Sequence, residues 1–378
     1  MDNGRRGTPD FILLVLTFLL VGFGIVMVFS SSSPIASFYQ QDALYYTKKQ
    51  VVFAIVGLVA MFFVMNMRIE KLKKWISPIN FTIIIMLVFV LFTEPLNGAR
   101  SWITLGSFGT LQPSEFAKIG IILYISALIC KKGEQFRDFK TGLLPVLVII
   151  AFVSGLILIQ PDLGTAAILI FGTLLVVFVG GANLKHLFGI LTVSLGVMSL
   201  LLFLLTKFET TSTAINIRLS RFTSYQDPWS DQLGSGYQII QSLYAFGHGG
   251  MTGAGFGQSI QKLFYLPFPF NDFIFSIIAE ELGFIGSTIF LMTYLLLLWR
   301  GLIISIKSTD MFCTLVGTGI VGILAIQALI NIGGVTNAIP ITGVPLPFIS
   351  QGGSSMITSL ISVGILLSIS RENNRLSK

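Results

Sequence analysis

Asp272 stands where a polar, glycine-rich stretch from about Lys207 to Asn271 gives way to the apolar run Asp-Phe-Ile-Phe-Ser-Ile-Ile. A loop longer than about fifteen residues is usually functional or disordered, and a carboxylate held where such a loop re-enters a membrane is a natural place for chemistry. The bland alternative for Asp272 is a helix N-cap. Ser276, Ala279 and Gly283 share its face of the following helix and give a small, polar stripe that could border a cavity. Glu280 lies beside that stripe, about 12 Å along at 1.5 Å per residue, and Glu281 points the other way. Two adjacent carboxylates this deep need partners or water, so at least one of them should be structural.

Further ionisable and helix-opening residues flank the other outward turns. Arg100 and Trp102 suit an interfacial anchor. Pro113 fits a first helical turn, and Glu115 and Lys118, spaced i, i+3, can pair on one helix face. Buried ionisable groups in a span cost on the order of 2.5–3.5 kcal/mol by insertion scales, so they pair or line a cavity, and for Glu115 and Lys118 both roles are compatible. Asp162, in Gln-Pro-Asp-Leu-Gly-Thr, reads first as a cap and also brings a carboxylate to the depth of Glu115. The long loop carries Arg218, Arg221, His248 and Lys262. Its run from Gly247 to Gly257 follows no strand, so a nucleotide-binding glycine motif is rejected, and His248 has no second histidine or cysteine near it for a metal. Gly353-Ser354-Ser355 opens the last helix, where free N–H groups make either an anion site or an ordinary serine cap.

The elements that must position these groups are membrane helices. Of 378 residues, 53% are hydrophobic and 11% charged, and the mean hydropathy is +0.85. Soluble domains carry roughly a quarter charged residues, so the chain reads as an all-α polytopic membrane protein forming one domain over residues 1–378. Ten spans are expected, near 10–32, 49–67, 76–93, 113–130, 142–160, 164–182, 186–206, 272–299, 311–332 and 353–370. The first is too long for a signal peptide's apolar core and is read as retained. Both termini then share a side with Arg5, Arg6, Arg68, Lys71, Lys73, Lys74, Lys131, Lys132, Arg137, Lys140, Lys185, Arg300, Lys307, Arg371, Arg375 and Lys378. By the positive-inside rule that side is cytoplasmic, and the long loop near 207–271, between spans seven and eight, faces outward. The net charge of +7 is thereby topological and implies no nucleic acid. Cys130 and Cys313 are too few and isolated for a disulfide framework or a metal site. No inverted repeat is evident, which weighs against a secondary transporter.

Taken in order, Asn97 to Arg100, Gln112 to Lys118, Gln160 to Thr165, Gly236-Tyr237-Gln238 with Gln241-Ser242-Leu243, Asp272 to Phe275 with Glu280 to Gly283, and Pro345 to Ser355 resemble the SEDS family (shape, elongation, division and sporulation; FtsW, RodA and SpoVE). Asp227-Pro228-Trp229 and Ser259 to Lys262 look closer to the FtsW and SpoVE branch. The chain departs from the family where Leu-Pro-Glu-x-His-Thr-Asp is usual: it has Phe268, Phe270 and Asn271 in place of Glu, His and Thr, and Ser101 where a second basic residue is common.

The resemblance implies a multi-pass protein of the bacterial cytoplasmic membrane, a peptidoglycan glycosyltransferase that polymerises lipid II at the outer face. It maps the family's catalytic aspartate onto Asp272 and its cavity residues onto Glu115, Lys118 and Asp162. The reaction joins a sugar 4-hydroxyl to an anomeric carbon and expels a lipid diphosphate, so Asp272 is expected as general base. Arg100, Lys118, Arg218, Arg221 and Lys262 are expected to meet the diphosphate, and Glu280, Ser354 and Ser355 to border the substrate. No cofactor is required by the sequence, with a divalent cation (Mg or Mn) left open. The implied partner is a class B penicillin-binding protein, a transpeptidase. The competing readings are a flippase for lipid-linked sugars and a non-catalytic scaffold for that partner.

Overall fold

The computed structural model describes residues 7–95, 99–104, 106, 109–189, 192, 225–234 and 236–376. Arg218, Arg221, the 207–224 part of the long loop and most of the expected span at 186–206 lie outside the described residues. The helices are α1 (Phe11–Gln40), α2 (Tyr45–Met65), α3 (Ile69–Phe89), α4 (Pro113–Lys132), α5 (Leu144–Ile159), α6 (Leu163–Val179), α7 (Tyr237–Gly249), α8 (Ile274–Ile306), α9 (Met311–Val335) and α10 (Gly353–Leu376). Among the described residues, α1–α4, α5 together with the helical turn Phe139–Leu143 that leads into it, and α8–α10 are long and apolar enough to cross a membrane, and α6, at 17 residues, is a shorter apolar helix. An antiparallel pair, β1 (Ile103–Thr104) with β2 (Thr110–Leu111), folds over the outer end.

Local chemistry explains the helix boundaries. Asp10 caps α1 by accepting from Leu13 N at 2.9 Å, and Asp310 caps α9 by accepting from Phe312 N at 3.0 Å. Pro113 opens α4, where its missing N–H is no loss. The first helix runs to Gln40, well past the expected stop at residue 32. Two of the serines that look like a terminus are satisfied within the helix or by a packing partner: Ser31 donates to Met27 O at 2.7 Å and Ser30 to Glu281, while Ser32 is buried without a partner among the described residues.

Most of α4, α9 and α10 is buried, and the other helices turn apolar faces outward, as a bundle in lipid requires. Small residues permit the tightest crossings: a Cβ on Gly319 of α9 would meet Val176 at 2.5 Å and Ile122 at 2.8 Å. One end of the bundle is tied by Arg300 to Asp10 (2.9 and 2.6 Å), Lys73 to Asp310 (2.8 Å) and Arg371 to Gly7 O (2.9 Å). Both ends of the described chain meet there, amid the basic residues that mark the cytoplasmic side.

Two expectations about the outer side change. The 225–271 part of the long loop is structured, with the 3-10 turn Pro228–Asp231 and the amphipathic helix α7. The expected eighth span is also not one straight helix. Gly283, at φ 66° and ψ −169°, breaks α8 into a half-helix, Ile274–Leu282, and a spanning part, Phe284–Ile306. That φ is open to glycine and costly for residues with a Cβ.

Candidate active site at the outer face

A cavity of about 590 Å³ opens among the outer ends of α2, α4, α6, α8 and α10. Its wall comprises Tyr46, Lys49 and Phe53 of α2, Ala99, Ser101 and Trp102, Gly109, Thr110 and Gln112, Pro161, Asp162, Leu163 and Thr165, Asn271 and Asp272, Thr342, Gly343 and Pro345, and Gln351 to Ser355. Asp162 and Asp272 are the carboxylates on this wall, and Lys49 is its cation, among the described residues.

Asp272 directly precedes Phe273, the residue before the first turn of α8. Its backbone is pinned by Asn331 of α9, whose Nδ2 donates to Asp272 O and to Val344 O, each at 2.7 Å. That amide clips the start of the half-helix to the 342–345 segment. Gly343 sits opposite with φ +73°, and a Cβ there would come 3.7 Å from Asp272 Oδ2. The half-buried carboxyl therefore borders the cavity on one side and a glycine turn on the other.

Asp162 caps α6 by accepting from Thr165 N at 3.0 Å, and Gln112 Nε2 donates to its other oxygen at 2.9 Å. Burial pushes this carboxyl above its ordinary range and nearby Glu115 adds to the rise, against the stabilising Thr165 amide. Gln112 also donates its backbone N–H to Ser354 Oγ at 2.9 Å, which ties the start of α4 to the start of α10. Ser355, only 5% exposed, is a wall residue whose buried hydroxyl has no hydrogen-bond partner among the described residues. Beside it, the N-terminal amides of α10 offer the positive end of a helix dipole.

Glu115 and Lys118 form the expected i, i+3 pair at 2.8 Å, both buried. They lie behind the wall rather than on it: Lys118 Nζ also donates to Gln327 Oε1 at 2.5 Å, and Thr358 Oγ1 to Glu115 Oε2 at 3.1 Å. Gln327 in turn donates to the carbonyl of the wall residue Pro345 at 2.9 Å. Arg100 is exposed outside the cavity and donates to Leu91 O at 3.3 Å.

Lys262 and Glu280, expected at the substrate, are not in the cavity wall. Lys262 is 4% exposed and pairs with Glu281 at 2.7 Å; Glu280 is fully buried against the 259–261 turn. Lone charges at that depth would be costly, so each is held by protein partners instead of facing the open space. His248, expected as a plain loop residue, ends α7 with Nδ1 2.9 Å from Glu280 Oε1.

Of the three unusual residues before Asp272, Phe270 is 1% exposed and stacks on the wall residue Tyr46 at 4.5 Å between centroids. Phe268 is exposed and meets Phe270 edge-on, while Asn271 joins the cavity wall. Sequence reasoning missed Tyr46, Lys49, Gln112 and Asn331 as site residues. A lysine and a glutamine at the outer start of α2, and polar amides within otherwise apolar spans, were the available signals.

Comparison with known proteins places this geometry. Residues 11–375 match the FtsW/RodA/SpoVE family model, described as cell cycle protein. Stage V sporulation protein E of Bacillus subtilis is 42% identical over 370 residues, covering 97% of this chain and 98% of that one. A probable peptidoglycan glycosyltransferase FtsW of Trichlorobacter lovleyi is 40% identical over 369 residues, covering 97% and 94%. Among solved structures, a chain from a study of polymerization and crosslinking by a peptidoglycan synthase complex aligns with TM-score 0.77 at 31% identity, over 97% and 98%. The rod shape determining protein RodA of Thermus thermophilus aligns with TM-score 0.69 at 27% identity, over 97% of each chain. The chain, a multi-pass membrane protein with its cavity at the outer face, belongs to the FtsW/RodA/SpoVE family.

Proposed function

We propose that this chain is a peptidoglycan glycosyltransferase that polymerises lipid II at the outer face of the bacterial cytoplasmic membrane, with Asp272 as general base. The observation that carries the reading is a half-buried carboxylate on the wall of a 590 Å³ cavity whose opposite features suit an anion. The acceptor's 4-hydroxyl gives its proton to Asp272 as its oxygen attacks the donor's anomeric carbon. The bond from that carbon to the diphosphate oxygen breaks, and the lipid diphosphate leaves with the electron pair. A positioned base contributes roughly 10²–10⁴ in rate.

The departing charge needs donors already in place. Lys49 and the residues that open α10, Gly353 to Ser355, line the same space, and the Lys49 ammonium, the α10 N-terminal amides and the unpartnered Ser355 hydroxyl are the donors nearest to it. Arg218 and Arg221 remain expected contributors from outside the described residues. Asp162 and Asp272, the carboxylates on the wall among the described residues, are the groups that would hold a Mg or Mn, which would supply positive charge toward the leaving diphosphate.

Polymerisation without crosslinking calls for a transpeptidase, so the proposed partner is a class B penicillin-binding protein. The similarity to a chain studied in a peptidoglycan synthase complex supports that pairing. Detergent-solubilised protein incubated with lipid II separates the readings. Glycan polymer is the expected product; a flippase or a scaffold would leave lipid II unpolymerised.

A further inference from the structure

The most densely bonded buried charges in the outer half lie outside the cavity, around the break at Gly283. The half-helix Ile274–Leu282 begins two residues after Asp272, and residues 274–281 are all buried. Its end carries Glu280 and Glu281, which leave a helix about 100° apart because 3.6 residues make a turn. Glu281 accepts from Lys262 Nζ at 2.7 Å and from Ser30 Oγ of α1 at 2.6 and 2.8 Å. Glu280 accepts from Ile260 N at 2.9 Å, Gln261 N at 3.3 Å and Ser259 Oγ, with His248 beside it.

The backbone repeats the arrangement. Ala254 N and Gly255 N donate to Glu280 O and Glu281 O at 2.9 and 3.1 Å, and Phe284 N and Ile285 N donate to Gly250 O and Met251 O at 2.9 and 3.1 Å. The 250–255 loop thus takes over the hydrogen bonds that the helix gives up at Gly283. Ser30 lies 20 residues beyond Asp10, and Asn331 lies 20 residues beyond Met311, each about 30 Å along a helix from the cytoplasmic end. Both ends of the half-helix are therefore fastened in the outer layer: Asp272 by Asn331, and Glu280 and Glu281 by the loop and α1.

From this geometry we infer that Glu281 and Lys262, with Glu280, are positioning residues that fix the rotation and depth of the half-helix and so hold Asp272 on the cavity wall. The inference rests on the reading of Asp272 as the base. Two anchors at different angles stop a short helix from turning about its axis, which a single apolar contact cannot do. A buried ion pair adds little stability over well-packed apolar residues of similar volume, so what it supplies here is register. Register matters because a misplacement of about 1 Å, from a change far from the chemistry, can cost on the order of 10²-fold in rate.

The test is the double variant Lys262→Met/Glu281→Leu in the purified full chain with lipid II. It removes both charges without stranding either. The expected result is a folded protein whose KM stays within about twofold while kcat falls on the order of 10²-fold, with Lys262→Arg retaining most turnover. Wild-type kcat in the folded double variant overturns the inference, as does a fall confined to the unfolded fraction. Should the double variant fail to fold, Glu281→Gln decides: unchanged kcat overturns the inference, and a loss of about tenfold or more at unchanged KM upholds it. Asp272→Ala, assayed alongside, keeps the two claims apart. If it polymerises lipid II, the base assignment fails; if it is inactive while the double variant is fully active, only the positioning role fails.

Discussion

The outer half of the molecule holds two polar regions, one that encloses its carboxylates and one that sets them beside open space. Around Gly283, Glu280 and Glu281 are enclosed and every oxygen meets a protein donor. In the cavity, Asp272 and Asp162 border open space, and the hydroxyl of Ser355 has no partner among the described residues. Complete satisfaction fixes structure, because any change leaves a buried group unpaired. A carboxylate at the edge of a cavity, even one bonded at both oxygens like Asp162, keeps a face toward the space a substrate would fill. The two regions are joined by one half-helix of nine residues, so the rigid one sets the geometry of the open one.

Removing the cavity carboxylate should produce the largest effect on rate. Asp272→Ala is expected to lose about 10²–10⁴ in kcat with the melting temperature nearly unchanged, measured by glycan synthesis and thermal unfolding. Equal losses of both would make Asp272 structural like its neighbours. Lys262→Met should do the reverse first: stranding Glu281 is expected to destabilise the fold by about 3–5 kcal/mol, read in a denaturant series. Ser355→Ala is expected to lower kcat by up to about 10²-fold through the leaving diphosphate, with little change in stability.

Asp162 sharpens the comparison through pH. Burial raises its pKa, so the folded state favours its protonated form. Its contribution to stability is greatest below the ordinary carboxylate range and declines as pH rises through the elevated value. Asp162→Asn should flatten that slope and leave stability at neutral pH equal or higher, as thermal unfolding across pH would record. The smallest effect belongs to the cytoplasmic end. Lys73 and Asp310 are 41% and 43% exposed, so Lys73→Met should change stability by no more than about 1 kcal/mol and leave polymerisation intact.

What the sequence discloses about this arrangement follows the range of the interactions. Glu115 with Lys118, the Asp162 cap and the Pro113 start are set by partners within three residues, and spacing alone finds them. The apolar runs likewise disclose the spans, because lipid demands continuous hydrophobic surface. The break at Gly283 is invisible in Glu-Glu-Leu-Gly, which reads as unbroken helix. Its cause is backbone pairing with residues about thirty positions earlier, Gly250 to Gly255. The partner of Glu281 on α1 is 251 residues away, and the Gln112–Asp162 bond spans 50. For that reason Lys262 looked like a substrate ligand, although Glu281 already holds its charge. The structured 225–271 segment was hidden for a related reason. Its glycines, such as Gly253 with φ +84° and a Cβ position 2.2 Å from Glu281 O, suggest open loop but serve close packing.

The central claim is that the Asp272 side chain faces the external water boundary inside the space that admits the lipid-linked saccharide. The most direct test places a cysteine at that position, Asp272→Cys, with Cys130 and Cys313 replaced by serine, in sealed right-side-out vesicles. A membrane-impermeant maleimide should label it without permeabilisation, and added lipid II should slow the labelling. Labelling that requires permeabilisation, or that lipid II leaves unchanged, would contradict the account.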